Sequence, residues 1–332
     1  MRWLALLVVT MVVAGCGTTQ DVREPAVEVS GAAAAASPVK GAPVPDGAVR
    51  IAVVTHGPAS SKFWGIIRNG VDSAARRLDV LVDYQSPDVF SVERMSGLID
   101  QAVATKPDGL VVSIPSAGLA PAIRRAVDAG IPVISINSGS DVFKRLGVLV
   151  HVGQVEDRAG LEAGRRLADA GVRRAICLNH ETDNAGVDAR CRGVAKAMRE
   201  VGGRSRVLHI VDDDPRTPSL IASAVAADHA DGVLATNSVG GLAAAEGLAG
   251  LGIKIGTFDL GPEVLKAVQR GEIGFAVDQQ PYLQGYLPIE MLALRARYGI
   301  LPSQHDIVAT GPNFVTRENA AQALELSERS IR

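Results

Sequence analysis

Aromatic residues are scarce in this chain: 6 Phe, 4 Tyr and 2 Trp make up 4% of 332 residues. A core built on stacked rings is thereby excluded, and Val, Ile, Leu and Ala are left to fill it. Cysteine is scarcer still, at three, too few for a disulfide scaffold. Charge of one sign is also missing: the net charge is −2, which removes the electrostatic case for binding nucleic acid or an anionic membrane surface. No Gly-x-Gly-x-x-Gly follows the first strand candidate and there is no Walker loop, so nucleotide binding lacks its usual fingerprint. No Gly-x-Ser-x-Gly elbow is present to seat a nucleophile. His-x3-His and paired-cysteine spacings are absent too, so a metal site has no framework.

The first sixteen residues carry a sharp signal. Met1-Arg2 is a short positive start, Trp3 to Val13 is dominated by apolar residues, and Val13-Ala14-Gly15-Cys16 follows. A charged start, an apolar run and small residues at its end describe a secretory signal over residues 1–15. The run falls short of the roughly 20 residues a membrane span needs. Small residues directly before a cysteine resemble the bacterial lipobox, so Cys16 is expected to be lipidated. Residues 16–48 are then a tether rich in Ala, Gly, Pro, Ser and Thr, with too little large apolar surface to repay the entropy of ordering.

From Val49 onward, short β-branched runs alternate with amphipathic stretches. Strand candidates are 50–54, 81–84, 109–113, 133–136, 149–152, 174–178, 207–210, 232–235, 254–257 and 274–277. Helical stretches are expected at 63–78, 92–104, 119–129, 158–170, 187–201, 217–227, 239–250 and 262–269. Strands apolar throughout suit a parallel sheet covered on both faces, and strict alternation with helices gives an open doubly wound sheet. Asp108-Gly109 and Asp231-Gly232 each lead into a buried strand that ends in a polar loop, as two similar α/β domains in succession would show.

In open α/β sheets the ligand sits beyond the carboxyl ends of the strands. The residues standing there are Thr55-His56, Asn137-Ser138, Gln154, Asn179-His180-Glu181 with Arg190, Asn237-Ser238, Asp259 and Gln279-Gln280, beside Phe63-Trp64. Amides, one Arg and one Asp with adjacent rings suit a hydroxyl-rich ligand: polar groups satisfy its hydroxyls and a flat ring covers its C–H face. Each Asn or Ser could alone be a helix N-cap, but their recurrence after strand upon strand makes capping a poor account of the set.

Five segments in order, Phe63–Gly70, Ala129–Ile134, Ala189–Gly193, Gly256–Leu265 and Asp278–Gly285, resemble the ribose-binding-protein-like branch of the type I periplasmic binding proteins. The resemblance spans about residues 50–316. It implies two Rossmann-like lobes with a hinge: residues 49–153 plus 280–307, and 154–279 plus 308–332. Phe63 and Trp64 would flank a sugar ring, and Asn137, Arg190, Asn237, Asp259 and Gln279 would hydrogen-bond its hydroxyls. Where the family usually carries an acidic residue followed by Arg, this chain has Asn137-Ser138, which argues against ribose itself. The implied activity is that of a substrate-binding lipoprotein of an ABC importer, monomeric, anchored at the extracytoplasmic face, binding a monosaccharide or polyol without cofactor or metal. Its partners would be that solute, the permease and, through the lipid, the membrane. A sensor of the same fold is the alternative, and a sugar-processing enzyme the more distant one. Asp212-Asp213-Asp214 reads as a solvated turn before a helix start at Thr217, and Cys177 with Cys191 as either a disulfide or two buried thiols.

Overall fold

A computed structural model describes residues 47–58, 61–302 and 304–332. The expected leader, the lipidation at Cys16 and all but the end of the tether lie outside the described residues. Among the described residues no helix is long and apolar enough to cross a membrane.

Twelve strands form two sheets. The first sheet takes β1 (Arg50–Val54), β2 (Leu81–Gln85), β3 (Gly109–Ser113), β4 (Val133–Ile136), β5 (Val150–Gly153) and β11 (Asp306–Ala309), in the order β11-β5-β4-β3-β1-β2, all parallel. The second takes β6 (Arg174–Asn179), β7 (Arg204–His209), β8 (Gly232–Ala235), β9 (Lys254–Phe258), β10 (Phe275–Asp278) and β12 (Asn313–Val315), in the order β12-β10-β9-β8-β6-β7. Only β12 there runs antiparallel to its neighbour. Helices α1 (Lys62–Leu78), α2 (Val92–Ala104), α3 (Ala120–Asp128), α4 (Glu156–Asp169) and α5 (Ala185–Glu200) connect the strands. So do α6 (Thr217–Asp228), α7 (Ser238–Gly247), α8 (Pro262–Arg270) and α9 (Pro281–Tyr298), and α10 (Ala320–Glu328) ends the fold.

Both faces of each sheet are buried, which is why the strands read as unbroken apolar runs. Val53, Val111 and Ile134 face one core of the first sheet, while Ala52, Leu110 and Val112 face the other. In the second sheet Ile176, Leu178 and Val233 divide from Cys177 and Leu234 in the same way. Cys177 and Cys191 are joined as a disulfide, their Cα atoms 5.6 Å apart, tying β6 to α5.

The sequence reading lacked α9, β11, β12 and α10. Pro288 lies inside α9 and reads as a breaker, because it removes a backbone donor and crowds the turn before it. The helix runs on because its buried face packs against α1 at very close range: a Cβ on Gly70 would stand 2.1 Å from the carbonyl oxygen of Tyr282. Strand β11 belongs wholly to the first sheet, so a boundary between 307 and 308 would cut it; the last crossing falls between Ala309 and Asn313. The chain passes between the sheets after β5, after β10 and after β11.

Candidate functional site

The carboxyl ends of β4, β9 and β10 place three of the expected residues on one polar relay. Asn137 Nδ2 donates to Gln279 Oε1 at 3.3 Å, and Gln279 Nε2 donates to Asp259 Oδ1 at 2.6 Å. Ser138 Oγ extends it, 3.1 Å from Asn137 Oδ1 and 3.3 Å from Asn184 Oδ1. The relay joins the first sheet, through Asn137, to the second, through Gln279 and Asp259. Both strand-end residues are in the left-handed region, Asn137 at φ 60° and Asp259 at φ 66°. Asn and Asp tolerate that conformation better than other side chains, and functional sites are where it concentrates. Burial raises the Asp259 carboxyl to about 6, although Arg190 and Gln279 both pull it back down.

Arg190 is buried in α5 with its guanidinium over the Phe258 ring, 4.4 Å from the centroid. Its Nε and Nη2 grip the Glu156 carboxylate at 2.6 and 3.1 Å, and Nη1 donates to the Thr236 carbonyl at 2.8 Å. Burial alone would lower this guanidinium, but Glu156, with Asp259 and Glu181, outweighs it and the pKa is raised. Helices α4 and α5 can approach this closely because Gly160 and Gly193 each face the backbone of the other helix: a Cβ on Gly160 would lie 2.0 Å from the Arg190 carbonyl oxygen.

The two aromatic positions part company. Phe63 borders a cavity of about 410 Å³ with Asp259 and Gln279. Trp64 turns inward, edge-on to His56 with centroids 4.7 Å apart, and fills the space above Gly57. His56 is buried, with Nδ1 and its backbone N–H 2.8 and 2.9 Å from Ser113 Oγ, and burial lowers its pKa despite Glu181 nearby. His56 Nε2 reaches toward the other sheet, 3.8 Å from Glu181 Oε1. The backbone N–H of Ala185 donates to the Pro115 carbonyl at 2.9 Å, a further crossing contact.

Asn237 is engaged within its own lobe. Its side-chain oxygen accepts from Gly240 N at 2.8 Å, capping α7, and its Nδ2 donates to Asp212 Oδ2 at 2.6 Å. Capping and support of Asp212 thus occupy both ends of the amide. Asp212 itself departs from the solvated-turn reading: its Oδ1 is buried without a hydrogen-bond partner, and burial lifts the carboxyl to about 6. The helix start at Thr217 stands as read.

Sequence reasoning missed Glu156, Asn184 and the inward role of His56. Glu156 lies in the first turn of α4, where an acidic residue favours the positive end of the helix dipole, so it carries no separate mark. Asn184 caps α5, accepting from Gly186 N at 2.9 Å, and its bridging position exists only once the two sheets meet. The strand-end rule did point at Gln154, whose Nε2 donates to Glu156 Oε2 at 3.0 Å.

Amides, a masked cation and carboxylates gather between the two sheets, and this chemistry suits a polar solute. Comparisons agree with that geometry. The sequence profile of the periplasmic binding protein domain matches residues 51–299. A carbohydrate transporter protein of Acidothermus cellulolyticus 11B, solved in complex with myo-inositol, is 33% identical with a TM-score of 0.80, covering 86% of this chain and 100% of that one. The xylose/arabinose-binding protein XylF of Sulfolobus acidocaldarius is 25% identical over 299 residues, 81% of this chain and 71% of that protein. A periplasmic sugar-binding protein of Legionella pneumophila shares the fold, with a TM-score of 0.73 and 23% identity over 79% of this chain and 99% of that one. The chain therefore belongs to the periplasmic binding protein domain family, whose relatives here are sugar-binding proteins of transporters and not enzymes.

Proposed function

We propose that this chain captures a small, uncharged cyclic polyhydroxy solute between its two lobes and presents it to an ABC permease. The observation that carries this reading is the relay Asn137–Gln279–Asp259, which spans both sheets beside the Arg190–Glu156 pair. A solute entering there would exchange its hydroxyls into these hydrogen bonds, so its contacts would exist only when the lobes are together. Contacts of that kind supply the differential free energy that shifts an open–closed equilibrium. Phe63 would cover a ring face, Trp64 would back the first-lobe wall, and Asn137, Arg190, Asp259 and Gln279 would bond the hydroxyls. Asn237 would act through Asp212 and its own remaining amide proton.

The myo-inositol held by the Acidothermus cellulolyticus protein makes a cyclitol the first solute to try. The lobes would be 49–153 with 280–309, and 154–279 with 310–332. Cys16 would carry the lipid that holds a monomer at the extracytoplasmic face, with the stretch to residue 48 as its tether. A thermal-shift screen of residues 49–332 against inositols, pentoses, hexoses, deoxy sugars and acyclic polyols tests the function. A rise of several degrees with one solute, absent in Arg190→Ala and Asp259→Ala, is the expected result. No shift with any of them overturns the reading.

A further inference from the structure

The cavity that Phe63, Asp259 and Gln279 border has a wall that no strand end supplies: the segment following α10, with Ser330 and Arg332. Ala320 and Ala323 of α10 are buried and join the core of the second sheet with Val264 and Leu265 of α8. Ser330 then takes a left-handed turn at φ 52°, and its N–H donates to the Ser327 carbonyl at 3.0 Å, turning the segment back across the end of α10. From there it reaches the first lobe, where the Ser330 carbonyl accepts from Asn69 Nδ2 of α1 at 3.3 Å. The cavity is thus walled by α1, by the loop after β9, by the crossing after β10 and by this segment.

Arg332 is held there by a buried carboxylate. Asp278 Oδ1 accepts from Gln280 N at 2.8 Å, and its Oδ2 accepts from Arg332 Nε at 2.6 Å. Leaving such a carboxylate without a counter-charge is costly, so the pair fixes the guanidinium at the cavity. A guanidinium carries five N–H groups, and this one spends only that on Nε; among the described residues no acceptor meets the four on its terminal nitrogens. Asp278 is followed directly by Gln279, the centre of the relay to Asn137 and Asp259. Lys62 also borders the cavity, from the first position of α1. Its ammonium is a point charge, whereas a guanidinium is a planar fork able to bond two neighbouring oxygens at once.

We infer that Arg332 is a further solute-binding residue: held on Asp278 through Nε, it offers its terminal nitrogens to hydroxyl oxygens of the solute that Asp259 and Gln279 bond. The inference rests on the solute-binding reading above and adds to it a site residue carried by a segment outside both sheets. Because that segment also touches α1, its grip on the solute is complete only while α1 stands against it. Occupancy is thereby coupled to the meeting of the lobes.

Calorimetric titration of the full chain with myo-inositol, D-xylose and D-glucose tests this, with solute-free melting temperatures recorded beside it. Arg332→Ala is expected to weaken binding of whichever solute the unaltered chain takes several-fold. Arg332→Lys separates contact from support, since it returns a positive charge to Asp278 without the fork. It is expected to keep the melting temperature of the unaltered chain and still to bind about threefold more weakly or worse. A Lys variant that binds as tightly as the unaltered chain overturns the inference, because Arg332 then serves Asp278 alone; so does an Ala variant of unchanged affinity. A Lys variant that loses melting temperature along with affinity overturns it as well, since the loss then follows the fold. If Arg332→Ala does not melt cooperatively, Arg332→Lys decides by itself. Failure of the unaltered chain to bind any of the three, or any solute of the wider screen, overturns the solute-binding reading and this inference with it. Binding that ignores both substitutions overturns only the role of Arg332.

Discussion

At the end of β9, burial holds the Asp259 carboxyl near 6 in the fold, against 3.8 when free. Between those values the folded chain binds more protons than the unfolded one, so this group's stabilising contribution is lost as pH rises through about 6. Asp259→Asn is therefore expected to raise the melting temperature at pH 7 by more than at pH 4; an equal shift at both would contradict the assignment. Histidines act in the opposite sense. Burial lowers His151 to about 3 and His180 to about 4, against 6.5 when free. Here the unfolded chain binds more protons, and stability is lost as pH falls from 6.5 toward those values. His151 touches no proposed ligand group; its Nδ1 stands 3.0 Å from Ser135 Oγ and its Nε2 has no partner. His151→Gln is expected to flatten melting temperature against pH on the acid side, and an unchanged slope would remove His151 as its cause.

Among elements, the α4–α5 pair decides whether Arg190 meets Glu156. Any side chain at Gly160 runs into the Arg190 backbone, which no rotamer change relieves. Gly160→Val is expected to cost about 1–3 kcal/mol or more by overpacking and to weaken solute binding at least tenfold, because the helices must separate. Denaturant midpoints and titration check the two effects; lost stability with intact affinity would show that the pair tolerates the shift. The disulfide holds α5 from its other neighbour, β6. It closes a loop of 14 residues' separation, so Cys177→Ala with Cys191→Ala is expected to lower stability by about 3 kcal/mol in the chain-entropy account. A midpoint that does not move would show the bridge to be redundant with the core around it. Neither contact was legible in the sequence. Glycines in helices look like weak points until a partner backbone lies against them, and Cys177 and Cys191 read equally well as separate buried thiols.

Across the whole molecule, the end of the chain ties the lobes together. Ser330 accepts from Asn69 of α1 through its carbonyl at 3.3 Å, and Arg332 Nε donates to Asp278 Oδ2 at 2.6 Å. Asp278 is 1% exposed, and its other oxygen accepts from Gln280 N at 2.8 Å. Arg332→Ala leaves that carboxylate without its counter-charge and is expected to cost about 1–3 kcal/mol. Because the tail touches α1 while α10 packs against α8, the same change is expected to weaken solute affinity several-fold and to broaden the molecule in small-angle scattering. Stability lost with affinity and dimensions unchanged would confine the tail to a structural role.

The sequence by itself determined the parallel α/β character of both lobes, since apolar strands alternating with amphipathic helices have few other ways to bury their faces. It also marked the polar strand ends, so Asn137, Asp259 and Gln279, which the fold joins in one relay, stood out as candidates from the sequence alone. Tertiary structure decided the partners. Asn137 finds Gln279 across 142 positions and Arg190 finds Glu156 across 34, separations at which no local pattern carries information. The same distance separates a residue's type from its role: Asn237 has the chemistry of a sugar ligand, and only packing shows its amide capping α7 and holding Asp212.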